Sequence, residues 1–302
     1  MLARRILLCS VIASATSCRP GATPTGPSAT PGATTPPTWP PPEHGPCSGG
    51  MVPIDGGTFT LGMRGDEVEV ASFCIDRTEV TVEAYRACTA AGACAPSMVS
   101  IFWPSIGDRE QTKWSAECNG HFDDRGAHPA NCVGWDEADA FCRARGVRLP
   151  TEAEWEWVAR GGDAGNPYPW GNETPDATRL NACGSECQST LAELGLKWQR
   201  LYDGDDGFPF TAPVGSFPAG EGSSGVTDLG GNVFEWTATA ADDHPKAPSR
   251  YERAGQRIAR GGGFRASSAD YARVELRVAV PPTIRNTYGG FRCASAGPQH
   301  DG

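Results

Sequence analysis

Arg148-Leu-Pro-Thr-Glu-Ala-Glu-Trp-Glu156 spells out a helix start residue by residue. Thr151 and Glu154 have capping-box spacing: the Thr151 hydroxyl accepts from the Glu154 amide, and the Glu154 carboxylate reaches back to the Thr151 amide. The helix so opened runs from Glu152 to Arg160 and stops at Gly161-Gly162. Upstream, Asp136 reads as the N-cap of a helix over 137–145, with Gly146 as its left-handed stop. Earlier still, Thr81 begins a helical stretch through Ala91, with Val82, Tyr85, Ala87 and Cys88 near one face. Met51 to Gly62 alternates apolar and turn residues as strand–turn–strand would, and Val68 to Ile75 is a further strand candidate. Beyond the 152–160 helix no helix of comparable quality is expected; residues 163–297 read as short strands and long Gly/Pro/Asp loops, with no internal repeat.

The charge balance limits the partners. Lys and Arg number 26 against 36 Asp and Glu, a formal charge of −10. Nucleic acid and anionic membrane surfaces both require a basic footprint, so neither is expected as the main partner. Apolar residues at 39% and charged residues at 21% exclude a disordered chain, while 38 Gly and 26 Pro predict many turns.

The first residues read as an export signal. Arg4 and Arg5 precede an apolar run from Ile6 to Ala15, too short to span a bilayer as a stable helix. Ala15-Thr16-Ser17-Cys18 resembles a bacterial lipobox, with Ala15 where Leu is usual. Residues 1–17 are therefore expected to be a lipoprotein signal peptide and Cys18 the lipidated residue, placing the protein in the bacterial envelope, facing periplasm or cell surface. Ten of the 28 positions 19–46 are Pro, so Cys18 and the segment to 46 read as an anchor followed by a disordered stalk. A globular domain follows over 47–297, and 298–302 form a tail. Of the 12 cysteines, Cys9 and Cys18 fall in the signal and lipobox, which leaves ten for the domain. An even number in an oxidising compartment suggests five disulfides. Metal ligation is the weaker reading, because only five His exist and none has zinc spacing to a Cys pair.

Seven motifs fall in a fixed order: Asp76-Arg-Thr-Glu-Val-Thr-Val-Glu-Ala-Tyr85, Arg148 to Glu156, Tyr168-Pro-Trp-Gly171, Thr211-Ala-Pro-Val-Gly-Ser-Phe217, Gly231-Asn-Val-Phe-Glu-Trp236, Arg260-Gly-Gly262 and Gly290-Phe-Arg-Cys293. Together they resemble the formylglycine-generating enzyme (sulfatase-modifying factor) family across residues 51–295. The resemblance implies an α+β domain, a variant of the C-type-lectin fold, with two to three helices, short antiparallel sheets and much irregular loop. Read on their own chemistry, Glu152, Glu154 and Glu156 suit capping, i,i+4 pairing and a solvated helix face better than acid–base catalysis. Trp155, Trp157, Trp170 and Trp236 read as core and loop anchors. Arg260-Gly-Gly-Gly263 lacks the ending of a phosphate loop and reads as a strand packed closely on a neighbour.

Family enzymes oxidise a sulfatase cysteine to formylglycine with O2 and Cu(I) held by two thiolates, which suit that soft ion. Counted from Arg260, the thiol positions here are Ala266 and Tyr271, so copper is not expected. A further family bridge is lost at Ala159 and approximately Leu276, while another survives as Cys142 with Cys293. Proximity and leftover parity give Cys47–Cys74, Cys88–Cys94, Cys118–Cys132 and Cys183–Cys187. The resemblance also implies two calcium loops. The first uses Asn181, the Ala182 carbonyl, Asp206 and the Phe208 carbonyl; the second uses Asp228, the carbonyls of Gly231 and Val233, and Glu235. The expected function is a lipid-anchored, non-catalytic envelope module that binds or scaffolds an unknown envelope protein or ligand. An active formylglycine-generating oxidase and a lectin-like ligand binder are the alternatives.

Overall fold

Strand β4 (Phe73–Ile75) brings the two ends of the described chain together, pairing antiparallel with β1 (Val52–Ile54) on one side and with β9 (Ala294–Ala296) on the other. The computed structural model describes residues 47–62, 65–243 and 254–297. The segment expected to be a signal peptide, Cys18, the Pro-rich segment and the tail 298–302 lie outside the described residues. Two bridges staple the closure: Cys47–Cys74, and Cys142–Cys293, which joins points 151 residues apart. Cys88–Cys94, Cys118–Cys132 and Cys183–Cys187 complete the five pairings expected from the sequence.

The stretch read as strand–turn–strand forms β1 and β2 (Gly57–Leu61); the 68–75 candidate is divided between β3 (Asp66–Val70) and β4. Strands β2 and β3 make a separate hairpin, with Phe59 opposite Val68. A third sheet has the order β7 (Arg277–Val280), β6 (Arg257–Arg260), β5 (Phe234–Ala240), β8 (Gly289–Gly290), antiparallel except for the short parallel β5–β8 pair.

Five α-helices are present among the described residues, more than the two to three expected. Helix α1 (Val82–Ala90) turns Val82, Tyr85 and Cys88 inward, with the Thr81 side chain accepting from the Ala84 amide. Helix α3 (Trp135–Ala144) begins earlier than expected: Gly134 is the N-cap, and its amide donates to the Glu137 carboxylate at 2.7 Å. Asp136 stands instead in the first turn, where its charge suits the helix dipole. Gly146 ends this helix at φ 76°. Helices α2 (Asp108–Ser115) and α5 (Ser185–Glu193) escaped the periodicity reading because they bury so little: Trp114 in the first, Cys187 and Leu191 in the second.

Helix α4 (Glu152–Ala159) carries the expected capping box, with Glu154 N to Thr151 Oγ1 at 3.1 Å and Thr151 N to Glu154 Oε2 at 2.8 Å. The expected solvated face is absent. Trp155 is fully enclosed, and Glu152, Glu154 and Glu156 are buried as well. Charges so placed require partners. Arg148 takes Glu154, while Arg260 on β6 bonds both Glu152 (2.8 Å) and Glu156. The helix is thus packed on one side against Phe59, Leu61, Phe73 and Ile75, and on the other is tied by charge to the large sheet. A second aromatic centre joins α1 and α3: Tyr85 stacks on Phe141 at 5.5 Å, and Phe291 meets Phe141 edge-on at 5.4 Å.

Candidate functional site

The loop after β6 is fixed by glycines that no other residue could replace without movement. Gly261 and Gly262 have φ of 96° and 75°, the left-handed region that favours glycine. A Cβ on Gly261 would stand 3.0 Å from the Trp155 ring, and one on Gly262 would overlap the Tyr271 carbonyl. Close approach was expected here, although the regular strand ends at Arg260. The chain is then clamped by hydrogen bonds from Phe264 N to Asn232 O (2.9 Å), Ala266 N to Gly263 O (2.8 Å), Cys183 N to Ala266 O (3.1 Å) and Trp198 Nε1 to Arg265 O (2.8 Å).

Ala266 is buried at the base of this loop, while Tyr271, in the turn that follows, is 41% exposed. Neither side chain offers a soft donor. Every cysteine among the described residues is held in a disulfide, the nearest being Cys183–Cys187, whose Cys187 sulfur lies 3.8 Å from the Phe264 carbonyl. A two-thiolate copper site does not fit these residues.

Beside the loop, a cavity of about 440 Å³ opens on the large sheet, walled by Trp103, Phe234, Trp236, Val278, Val280 and Tyr288. The Tyr288 ring stands edge-on to Trp103 at 6.2 Å and to Phe234 at 6.3 Å. Burial pushes the Tyr288 hydroxyl up to about 12, so it is a neutral donor at physiological pH. On its other contact, Tyr288 meets the guanidinium of Arg265, 5.5 Å from the ring centre.

Of the first expected calcium set, Asp206 and Ala182 share one hydrogen-bonded cluster with Tyr202. Asp206 accepts from Phe208 N at 2.9 Å, Ala182 N at 3.2 Å and the Tyr202 hydroxyl at 2.6 Å. That hydroxyl also stands 3.0 Å from Leu180 O and 3.2 Å from Ala182 O, yet it has one proton for three acceptors. Asn181 Oδ1 is buried without a partner among the described residues, while its amide group donates to Phe210 O and Asn232 Oδ1. Burial raises Asp206 to about 6. Asn181 Oδ1 and the Asp206 carboxylate are oxygen donors of the hard type that Ca2+ prefers, although no group of three or more His, Cys, Asp or Glu side chains converges among the described residues.

The second set is organised differently. Both Glu235 oxygens accept from Arg292, Nε to Oε2 at 2.6 Å and Nη2 to Oε1 at 2.7 Å, and Trp155 Nε1 donates to Oε2 at 3.0 Å. Asp228 Oδ2 accepts from Gly215 N (2.6 Å) and the Thr227 hydroxyl (3.0 Å). Glu235 is therefore committed to a guanidinium. Glu79 completes this buried group, accepting from Asn232 Nδ2 at 3.0 Å. Burial first, then the charge of Asp228, pushes Glu79 well above the usual carboxylate range. In the second set the Glu235 carboxylate is thus taken by Arg292. Neither Glu79, Arg292 nor Arg265 was singled out from the sequence. Arg292 lies inside the Gly290-Phe-Arg-Cys293 motif, where its invitation was readable; Arg265 is passed over when counting from Arg260 to 266.

The fold and this site define a domain of the sulfatase-modifying factor class. The chain matches the sulfatase-modifying factor enzyme 1-like domain over residues 39–296, and it belongs to that family. Among its relatives, the formylglycine-generating enzyme of Thermomonospora curvata is 30% identical, covering 82% of this chain and 93% of that one. The mouse protein named inactive C-alpha-formylglycine-generating enzyme 2 is 38% identical over 179 residues, 56% of this chain; the match spans only about half (49%) of the mouse protein. The structure of PvdO from Pseudomonas aeruginosa superposes with a TM-score of 0.55 at 24% identity, covering 82% of this chain and 94% of that one, which shows the shared fold.

Proposed function

We propose that this chain is a formylglycine-generating-enzyme-like binding module of the bacterial envelope, tethered through lipid on Cys18 and without oxidase activity. One observation carries the reading: Ala266 and Tyr271 stand where the family's thiols would be, and every cysteine among the described residues is locked in a disulfide. The cavity walled by Trp103, Phe234 and Tyr288 supports ligand binding, since its size and apolar lining fall in the range of small-ligand pockets. A sequence relative named as inactive supports the loss of chemistry. One structural calcium ion, held by Asn181, Asp206 and the carbonyls of Ala182 and Phe208, belongs to the same proposal. The deciding test incubates the purified protein with Cu(I), O2 and a peptide containing Cys-Thr-Pro-Ser-Arg. No O2 uptake and no aldehyde on the peptide are expected; copper-dependent formation of formylglycine would overturn the non-catalytic reading.

A further inference from the structure

Arg265 makes no salt bridge among the described residues of a strongly acidic molecule. Its guanidinium carbon lies 4.3 Å from the ring centre of Trp198, 5.1 Å from Trp114 and 5.5 Å from Tyr288. None of its N–H groups meets an acceptor among the described residues, and its Nε is buried in that state. The other inward-facing arginines are treated differently: Arg145 bonds Asp76, Arg260 bonds Glu152 and Glu156, and Arg292 bonds Glu235. Burial in this apolar box lowers the affinity of Arg265 for its proton, an effect that the charge of Glu110 opposes.

The side chain is also well positioned. Its own carbonyl is held by Trp198 Nε1 at 2.8 Å, and the next residue is held through Ala266 O by the Cys183 amide at 3.1 Å. Rings attract a guanidinium through their π faces but offer no acceptor to its in-plane N–H groups. Those donors form a planar fork whose matching partner is a carboxylate, taken by two parallel hydrogen bonds. Tyr288 is shared: the ring that touches Arg265 also walls the apolar cavity beside Trp103 and Phe234.

We propose that Arg265, boxed by Trp114, Trp198 and Tyr288, anchors the carboxylate of a small apolar monocarboxylic acid whose hydrocarbon or aromatic body packs on these rings. The inference deepens the binding-module reading and rests on it. Oxidase activity would sink that reading without altering carboxylate binding, whereas the experiment below addresses the carboxylate alone.

Isothermal titration of the whole protein with 4-phenylbutyrate, and separately with the neutral 4-phenylbutanamide, tests the proposal. The two probes share an apolar body and differ in charge. The carboxylate should bind roughly ten- to a hundredfold more tightly, the range of one charge-assisted hydrogen-bonded contact, and should weaken as salt is raised. Arg265→Met should bring the two affinities together, and Arg265→Lys should retain part of the preference. Equal affinity for both probes in the unaltered protein, or no binding of 4-phenylbutyrate, overturns the proposal whether or not the Met variant folds. So does an undiminished preference in Arg265→Met.

Discussion

Arg292 and Glu235, 57 residues apart, form a two-pronged ion pair with no solvent contact on either side chain, at 2.6 and 2.7 Å. The pair links the Gly290-Phe-Arg-Cys293 motif to the Gly231-to-Trp236 motif, and so two stretches that are unremarkable alone become one structural unit. Arg292 spends its remaining donors on the carbonyls of Asp76, Arg77 and Thr227, and Glu235 also accepts from Trp155.

Breaking this pair from one side leaves a buried charge without its partner. Arg292→Met and Glu235→Gln should each destabilise the fold by about 3–5 kcal/mol. The double variant should be less destabilised than the two effects added together. Urea unfolding followed by tryptophan fluorescence checks this, and single losses below about 1 kcal/mol would contradict the assigned role.

The five disulfides should not matter equally. Cys142–Cys293 closes a loop with a sequence separation of 151, whereas Cys183–Cys187 closes one of 4. In the chain-entropy model the first contributes about 5 kcal/mol and the second about 2 kcal/mol. Replacing both cysteines of the long bridge by Ala should lower the melting temperature more than the same change at the short bridge; the reverse order would show that native-state packing, not loop closure, governs the difference.

Calcium should bind at the Asn181–Asp206 loop. Added calcium binds only the folded form, so it stabilises by about 2.7 kcal/mol at a hundredfold excess over Kd. Melting with chelator, then with calcium or copper restored, is the measurement. Calcium alone should recover the lost stability, and Asp206→Ala should abolish the recovery; identical curves with and without chelator would refute the site.

Alkaline pH should unfold the protein partly through Tyr288. Burial raises its hydroxyl to about 12, above the value near 10 of an unfolded tyrosine. The stability this contributes is fully present below pH 10 and is lost as the pH rises through about 12. Tyr288→Phe should therefore show a shallower decline between those values, by about 3 kcal/mol. Parallel profiles for the two proteins would mean that Tyr288 is not the group responsible.

The anchor is tested in cells. Cys18→Ala should shift the protein from the detergent phase to the soluble envelope fraction, because a lipid-modified cysteine would be the only acyl attachment expected in this sequence. Unchanged partitioning would remove the lipoprotein reading.

Local chemistry was legible wherever neighbouring residues decide it. The Thr151–Glu154 box, the Gly146 stop, the short-range bridges Cys88–Cys94 and Cys183–Cys187, and the inward Val82, Tyr85 and Cys88 all followed from spacing. Helix α5 was not legible, since only Cys187 and Leu191 of its nine residues are buried and tertiary packing rather than propensity forms it. The surface reading of Glu152 and Glu156 failed for a related reason. Periodicity reports which side chains prefer water, and it cannot see that Arg260, more than a hundred residues later, supplies the charge that lets two carboxylates be buried.

By itself, then, the sequence determined the family and the loss of the two thiols at Ala266 and Tyr271, because each depends on residue identity at a counted position. Only the tertiary structure decided which charges are partnered. It gave Glu235 to Arg292, Glu152 and Glu156 to Arg260, and left Arg265 among three rings with no hydrogen-bonded acid among the described residues. Charge pairing acts through space over a few ångströms, and residues far apart along the chain become neighbours only when the strands and helices close the core around them.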